Sequence, residues 1–175
     1  CSSDLQWNPK YKDLFAVGYG KYSFNDQKTG LICCYTIKNP TFPEYQFTTD
    51  SGVMCLDFHP QHPALLAVGL YDGTVMVFDI RLKGNNKPIY HSTVRTNKHT
   101  DPVWQVRWNN AENAKNLSFY SISSDGRVTN WNLSGFVPKN AGDHKTRSAN
   151  FPTSTEPIYL ETPCAIAGLI VYFAI

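Results

Sequence analysis

The chain repeats itself, and this limits its folds more than any other feature. "SSDLQWNPKYKDLFAVG" (Ser2–Gly18) and "VMCLDFHPQHPALLAVG" (Val53–Gly69) align at an offset of 51 residues. Leu5 meets Leu56, Trp7 meets Phe58, Pro9 meets Pro60, and Ala16-Val17-Gly18 meets Ala67-Val68-Gly69. A third copy opens at "VWQVRWNN", where Val103, Val106 and Trp108 match Val53, Leu56 and Phe58 at an offset of 50. It continues through "FYSISSDGRVTNWNL", where Asp125-Gly126 repeats Asp72-Gly73 and Trp131-Asn132 repeats Phe78-Asp79. A fixed period of this kind marks a stack or ring of like units, none of which buries its apolar face alone.

Each copy has the same internal order. A short apolar stretch ends in an aromatic, and a polar turn with Pro or Asn follows. A buried stretch, a tight turn and another stretch ending in an aromatic complete the pattern. Asp-Gly between apolar runs is a hairpin signal, because Gly accepts positive φ and Asp tolerates it. Asp72, Gly73 and Gly126 are therefore read as structural turn residues. "PEYQFTT" (Pro43–Thr49) and "PIYHSTV" (Pro88–Val94) suit a fourth, outer strand, where a leading Pro is tolerated at a sheet edge. Four strands in about 40–45 residues is the period of a WD-repeat propeller blade. The expected fold is all-β: a partial WD40 β-propeller of about three four-stranded antiparallel blades, with an irregular C-terminal tail. The blades run about 1–49, 50–96 and 97–133, and the tail is 134–175. In the first copy twelve residues, "YGKYSFNDQKTG", stand where the second has "LYDG". That insertion reads as a polar, protruding loop.

A length of 175 residues supports a sizeable core, and 42% hydrophobic against 17% charged residues excludes a disordered chain. The net charge of +2 gives no reason to expect nucleic acid or an anionic membrane as partner. Cys1, Cys33, Cys34, Cys55 and Cys164 form no C-x-x-C pair, so reduced, buried thiols in a cytosolic setting are expected. No signal peptide opens the chain. It does not begin with Met, and an N-terminal part is expected to precede it.

The chemically suggestive residues read better as structure. No second carboxylate recurs at a fixed spacing from Asp72 or Asp125, as general acid–base work would need. In the third copy His99, Ser123, Asp125 and Trp131 resemble the hydrogen-bonded His–Ser/Thr–Asp–Trp set of WD repeats. Such a network satisfies polar groups inside one blade. It shares composition with a catalytic triad, but its serine is not on an exposed elbow. The second copy has Phe78 in place of the Trp, so its set is incomplete. "HPQHP", with His59 and His62, reads as a turn, since two His without Cys or acid support do not complete a metal site. Gly18-Tyr19-Gly20 lacks the remainder of a phosphate loop. No catalytic residue, metal or cofactor is expected. Trp104 follows Val103 outside the buried pattern, and Met54 matches it in the second copy. With Tyr71, on a turn tip, they are candidate partner contacts.

"KDLFAVGYG", "GLICCYTIKNPTFPEY", "SGVMCLDFHPQHPALLAVGLYDG" and "KHTDPVWQVRW" resemble the WD-repeat region of dynein intermediate chains. They are nearer the axonemal, outer-arm type 1 members than the cytoplasmic ones. The resemblance covers roughly Leu5 to Leu133. It implies a non-catalytic subunit whose propeller binds a dynein heavy chain, beside other intermediate and light chains. It implies outer-arm assembly, microtubule association through the complex, and a place in the cytoplasm, the cytoskeleton and the axoneme of a cilium or flagellum. The alternatives are a WD-repeat adaptor of another cytosolic complex, such as cytoplasmic dynein, and an enzyme built on a propeller. The last would need converging polar side chains at the channel, and no recurrent set is seen.

After Leu133 the pattern stops. Residues 134–163 are rich in Ser, Thr, Asn, Pro and Lys and read as a loop. The apolar end, "CAIAGLIVYFAI", is shorter than the ~20 residues a membrane helix needs. The tail also departs from the family, where another blade is expected, and a splice or reading-frame difference would account for it. Propellers close with about 4–8 blades. Three open blades expose apolar faces and edges, so the chain alone is expected to associate.

Overall fold

A computed structural model describes residues 1–23, 26–82, 86–109 and 117–133, and the backbone of 157–159. Among the described residues twelve strands form three antiparallel sheets of four. The first sheet holds β1 (Ser2–Trp7), β2 (Leu14–Tyr19), β3 (Gly30–Thr36) and β4 (Tyr45–Thr49). The second holds β5 (Val53–Phe58), β6 (Leu65–Leu70), β7 (Val75–Asp79) and β8 (Tyr90–His91). The third holds β9 (Val103–Trp108), β10 (Ser118–Ser123), β11 (Arg127–Asn132) and β12 (Pro157–Tyr159). Each sheet runs in chain order with antiparallel neighbours, as a WD-repeat propeller fragment requires.

Two segments differ from the sequence reading. The second outer strand is only two residues long. Beyond it Ser92 N still donates to Val75 O at 2.8 Å while Ser92 Oγ accepts from Val75 N at 2.8 Å, and Thr96 Oγ1 then accepts from Thr93 N at 2.8 Å as Val94–Thr96 fold into a 3-10 turn. β12 comes from the stretch read as an irregular tail. Its backbone pairs Pro157 with Thr129, Ile158 with Val128 and Tyr159 with Arg127. Pairing to an existing strand edge needs no repeat signature in the added strand. The rest of 134–175, including the apolar end, lies outside the described residues.

The core lies between the sheets. Ala16, Ile32, Cys34 and Phe47 of the first sheet pack against Leu56, Phe58, Leu66, Val68 and Phe78 of the second. The other face of the second, with Leu65, Ala67, Val75 and Val77, meets Val106, Trp108, Phe119 and Trp131 of the third. Alternation along each strand thus supplies both faces of every inner sheet. The glycine ending each Ala-Val-Gly allows the close approach. A Cβ on Gly18 would lie 2.5 Å from Val53 Cγ1, and one on Gly69 would lie 2.6 Å from Val103 Cγ1. Polar links cross the same seams. Asp4 Oδ2 accepts from Leu56 N at 2.7 Å, and Asp57 Oδ2 accepts from Trp108 N at 2.8 Å.

Each innermost strand is bulged at the same place. The β1–β2 register skips Ser3, β5–β6 skips Met54, and β9–β10 skips Trp104. A bulge re-aims the extra residue's side chain. That is why Met54 and Trp104 fall outside the buried alternation.

Candidate functional site

The third sheet contains a continuous polar chain. Trp131, on β11, pairs across from Phe119 on β10, and its indole reaches diagonally to the next inward residue. Trp131 Nε1 donates to Ser121 Oγ at 2.7 Å, and Ser121 Oγ lies 2.7 Å from His99 Nε2. His99 Nδ1 lies 3.0 Å from Asp125 Oδ2. One proton arrangement satisfies all three contacts: the indole donates to the hydroxyl, the hydroxyl to Nε2, and Nδ1–H to the carboxylate. Burial holds the imidazole below its ordinary pKa, against the pull of Asp125, consistent with a neutral ring. Burial would raise the Asp125 carboxyl. The Arg127 guanidinium, at 2.6 Å, and His99 outweigh it and hold the carboxyl low.

The serine in this chain is Ser121, which corrects the sequence assignment of Ser123. Ser123 lies four residues from Phe119, about 13 Å along a strand, beyond the indole's reach. Its Oγ instead donates to Asp101 O at 2.9 Å at the mouth of the turn. His99, Asp125 and Trp131 do come together. Ser121 is 0% exposed and receives the indole hydrogen, so it cannot meet a substrate as a nucleophile would. The network can order strands, and nothing in its geometry offers an attacking atom.

One repeat earlier in the sequence the four matching places hold Thr49, Val68, Asp72 and Phe78, so only the turn Asp remains. Asp72 accepts from Thr74 N at 3.0 Å and from Thr74 Oγ1 at 2.7 Å, and pairs with Lys98 Nζ at 2.8 Å. Gly73 and Gly126 adopt φ of 83° and 80°, as the turn demands. In the first sheet Gln27 replaces the turn Asp. Its amide accepts from Lys21 N at 3.0 Å and donates to Lys21 O at 2.7 Å and Ser23 O at 2.9 Å. Residues 24 and 25 of that insertion lie outside the described set.

The sequence reading missed a second recurrent device. His59 Nδ1 accepts from Gln61 N and His62 N, both at 3.0 Å. At the matching place Asn8 Oδ1 accepts from Lys10 N at 3.1 Å and Tyr11 N at 3.0 Å. An acceptor two residues ahead of free backbone N–H groups makes this turn. The offset of 51 between Asn8 and His59 was the available signal. Burial pushes His59 down to about 4, and its ring packs 4.7 Å from the Trp108 ring. Its Nδ1 lone pair is already engaged. Among the described residues no group of three or more His, Cys, Asp or Glu gathers as a metal site would. Burial also pushes the Cys34 thiol up to about 12 and raises Cys33 and Cys55, so these thiols stay protonated.

The three candidate partner contacts fall at the turn end of their sheets. Trp104 is 40% exposed, and Met54 and Tyr71 are half-buried. Tyr71 N donates to Gly52 O at 2.9 Å, which brings Tyr71 to the same end as Met54. At the opposite end, the seam between the first two sheets opens into a cleft of about 590 Å³. Leu14, Tyr45, Leu65 and Ile80 line it with Lys10, Lys38 and Arg81. Two of these cations are already paired, Lys38 with Asp13 and Arg81 with Asp79. No helix among the described residues is long and apolar enough to cross a membrane.

Comparison with known proteins matches residues 41–79 to the family described as "WD domain, G-beta repeat". The chain is 53% identical over 129 residues to dynein axonemal intermediate chain 1 of Rattus norvegicus, covering 74% of this chain and 18% of that protein. It is 58% identical over 127 residues to the 78 kDa intermediate chain of the flagellar outer arm of Chlamydomonas reinhardtii, covering 73% and 18%. With dynein axonemal intermediate chain 4 of Xenopus laevis the identity is 42% over 138 residues, covering 75% and 18%. The chain therefore spans under a fifth of the length of these relatives.

Proposed function

We propose that the chain belongs to the axonemal dynein intermediate chain family and is a non-catalytic scaffold subunit of an axonemal dynein. Its repeat region, taken as residues 1–133, binds a dynein heavy chain and supports outer-arm assembly beside other intermediate and light chains. It reaches the microtubule through the complex, in the axoneme of a cilium or flagellum. One observation carries the reading: identity is 52–58% with type 1 and flagellar outer-arm relatives, against 41–42% with type 4 chains. The His99–Ser121–Asp125–Trp131 network supports it in a second way, as a buried structural clamp without a nucleophile. Trp104, Met54 and Tyr71 are proposed partner contacts. Affinity capture of the tagged chain from ciliated cells tests the role. Recovery of dynein heavy chain with outer-arm partners is expected. Recovery of cytoplasmic dynein alone, or of no dynein, overturns it.

A further inference from the structure

The three sheets end in outer strands of unequal length. β8 has two residues and is followed by the 3-10 turn, and β12 has three. β4 has five and pairs with β3 from Tyr45 opposite Cys34 to Thr49 opposite Gly30, without a register shift. It is last in its sheet order, so its outer side has no neighbouring strand among the described residues. Natural sheet edges are kept from pairing by shortness, by Lys or Pro, or by bulges. Tyr45–Thr49 contains no charged residue and no Pro, and its pairing is unbulged. Its outer side therefore presents backbone donors and acceptors that an extended chain can pair.

The residues around this edge carry one sign of charge. Between Lys38 and Arg81 the chain has no Lys or Arg and five carboxylates. Three of these are engaged: Asp57 by Trp108 N and Arg107, Asp72 by Lys98, and Asp79 by Arg81. The other two, Glu44 and Asp50, flank β4 at its two ends, and both are exposed. Neither carboxylate has a hydrogen-bond or ion-pair partner among the described residues. Lys38, the nearest cation in sequence, is held by Asp13 at 2.9 Å. Six residues of strand separate Glu44 from Asp50 by ~20 Å, too far for them to share a metal ion. Gln46 and Thr48 are exposed between them, and Phe42, 70% exposed, stands at the Glu44 end.

We propose that Tyr45–Thr49, the outer edge of the first sheet, is a docking site for an extended basic segment of a partner protein. The segment adds as a fifth strand beside β4, and its backbone supplies the pairing. Glu44 and Asp50 select Lys or Arg near its two ends. The Phe42 ring meets an aliphatic stem or a cation. The same carboxylates repel a nucleic acid or an anionic membrane. The surface needs no heavy chain, so it goes beyond the assembly role proposed above.

The test uses the full chain and a rhodamine-labelled peptide of about eight residues, alternating Lys and Val, long enough to span one strand. Anisotropy is expected to show binding that weakens with added salt. Glu44→Lys combined with Asp50→Lys should weaken it about tenfold or more. Phe42→Ser should weaken it about twofold or more. Asp101→Lys, on the approach to the third sheet, should leave it unchanged. An added strand turns alternate amides towards β4, so N-methylating one alternate set of peptide amides should abolish binding and N-methylating the other set should not. Hydrogen exchange should show protection within residues 44–50, and circular dichroism should be the same for all variants. Four results overturn the proposal: no binding by the wild-type chain, equal binding of a Glu–Val peptide, equal binding of the two N-methylated peptides, or equal loss in Asp101→Lys. The peptide assay contains no dynein, so its failure is a separate result from failure of the affinity capture.

Discussion

Ser121→Ala should destabilise the third sheet more than Ser123→Ala, although the two serines lie two residues apart on one strand. Ser121 Oγ bridges the Trp131 indole and the His99 ring by hydrogen bonds, at 2.7 Å to each. Its removal leaves a buried donor and a buried acceptor without partners, since Trp131 is 0% and His99 1% exposed. Each orphaned group costs about 1–3 kcal/mol, so a loss of about 2–6 kcal/mol is expected. Ser123→Ala removes the bond to the Asp101 carbonyl, which lies on an exposed residue and can turn to water, and a long bond at 3.4 Å accepted from Asp125 N. That loss should be about 1 kcal/mol. Pulse proteolysis in urea, at low protein concentration to limit association, reads both midpoints. Trp131→Phe removes the donor itself, so Ser121→Ala added to it should cost less than it does alone, a non-additivity expected within one network. The second sheet already runs without this link, with Val68 and Phe78 in the two places. Equal midpoints for the two serine variants, or a larger loss at Ser123, would refute the assignment of the network.

Further outcomes follow from the same geometry. Gly126→Ala should cost about 1–2 kcal/mol for a side chain at positive φ, since its Cβ would meet nothing within 4 Å. Gly73→Ala should cost clearly more in the same urea assay, because its Cβ would collide with the His99 carbonyl. His59 is depressed to about 4 from 6.5, so its contribution is full above pH 6.5 and is lost as pH falls towards 4; His59→Asn, which keeps the turn as Asn8 does, should flatten that acid limb in melts taken across pH. Asp57 works in the opposite sense: burial raises it from 3.8 to about 6, so its contribution is present below 3.8 and is lost as pH rises through 6, and Asp57→Asn should flatten that loss. Leu5 and Trp7 are 48% and 53% exposed where Leu56 and Phe58 are covered, so the chain should scatter light in a concentration-dependent way that Trp7→Lys reduces; a monomer at all concentrations would count against it.

Much of the fold was legible because the period is long and the matched residues are large. Leu5/Leu56 and Trp7/Phe58 fix the register of the first two copies, and Asp-Gly marks two of the inner turns. Trp104 stood out as an anomaly in the alternation, and the bulge there supplies its cause. The network was legible in its members with strict identity, His99, Asp125 and Trp131. It was misread at the serine because Ser121 and Ser123 share a strand face, and only the diagonal reach of the indole separates them. The turn acceptors were harder to see. Asn8 and His59 are chemically unlike, and only the lone pair they present is common to both. β12 carries no signal of its own, since a strand that joins an edge through its backbone needs no particular side chains.

The glycine that ends Ala-Val-Gly also fixes the sequence in which the sheets can follow one another. Gly18 receives Val53, and Gly69 receives Val103. The third sheet carries Ile122 in that place, opposite Gln105 as Gly69 is opposite Cys55. A chimaera that moved β5–β8 behind β9–β12 would drive Val53 into the Ile122 side chain. The three sheets look like interchangeable modules by hydrogen bonding, but a methyl-sized socket makes each one specific to its successor.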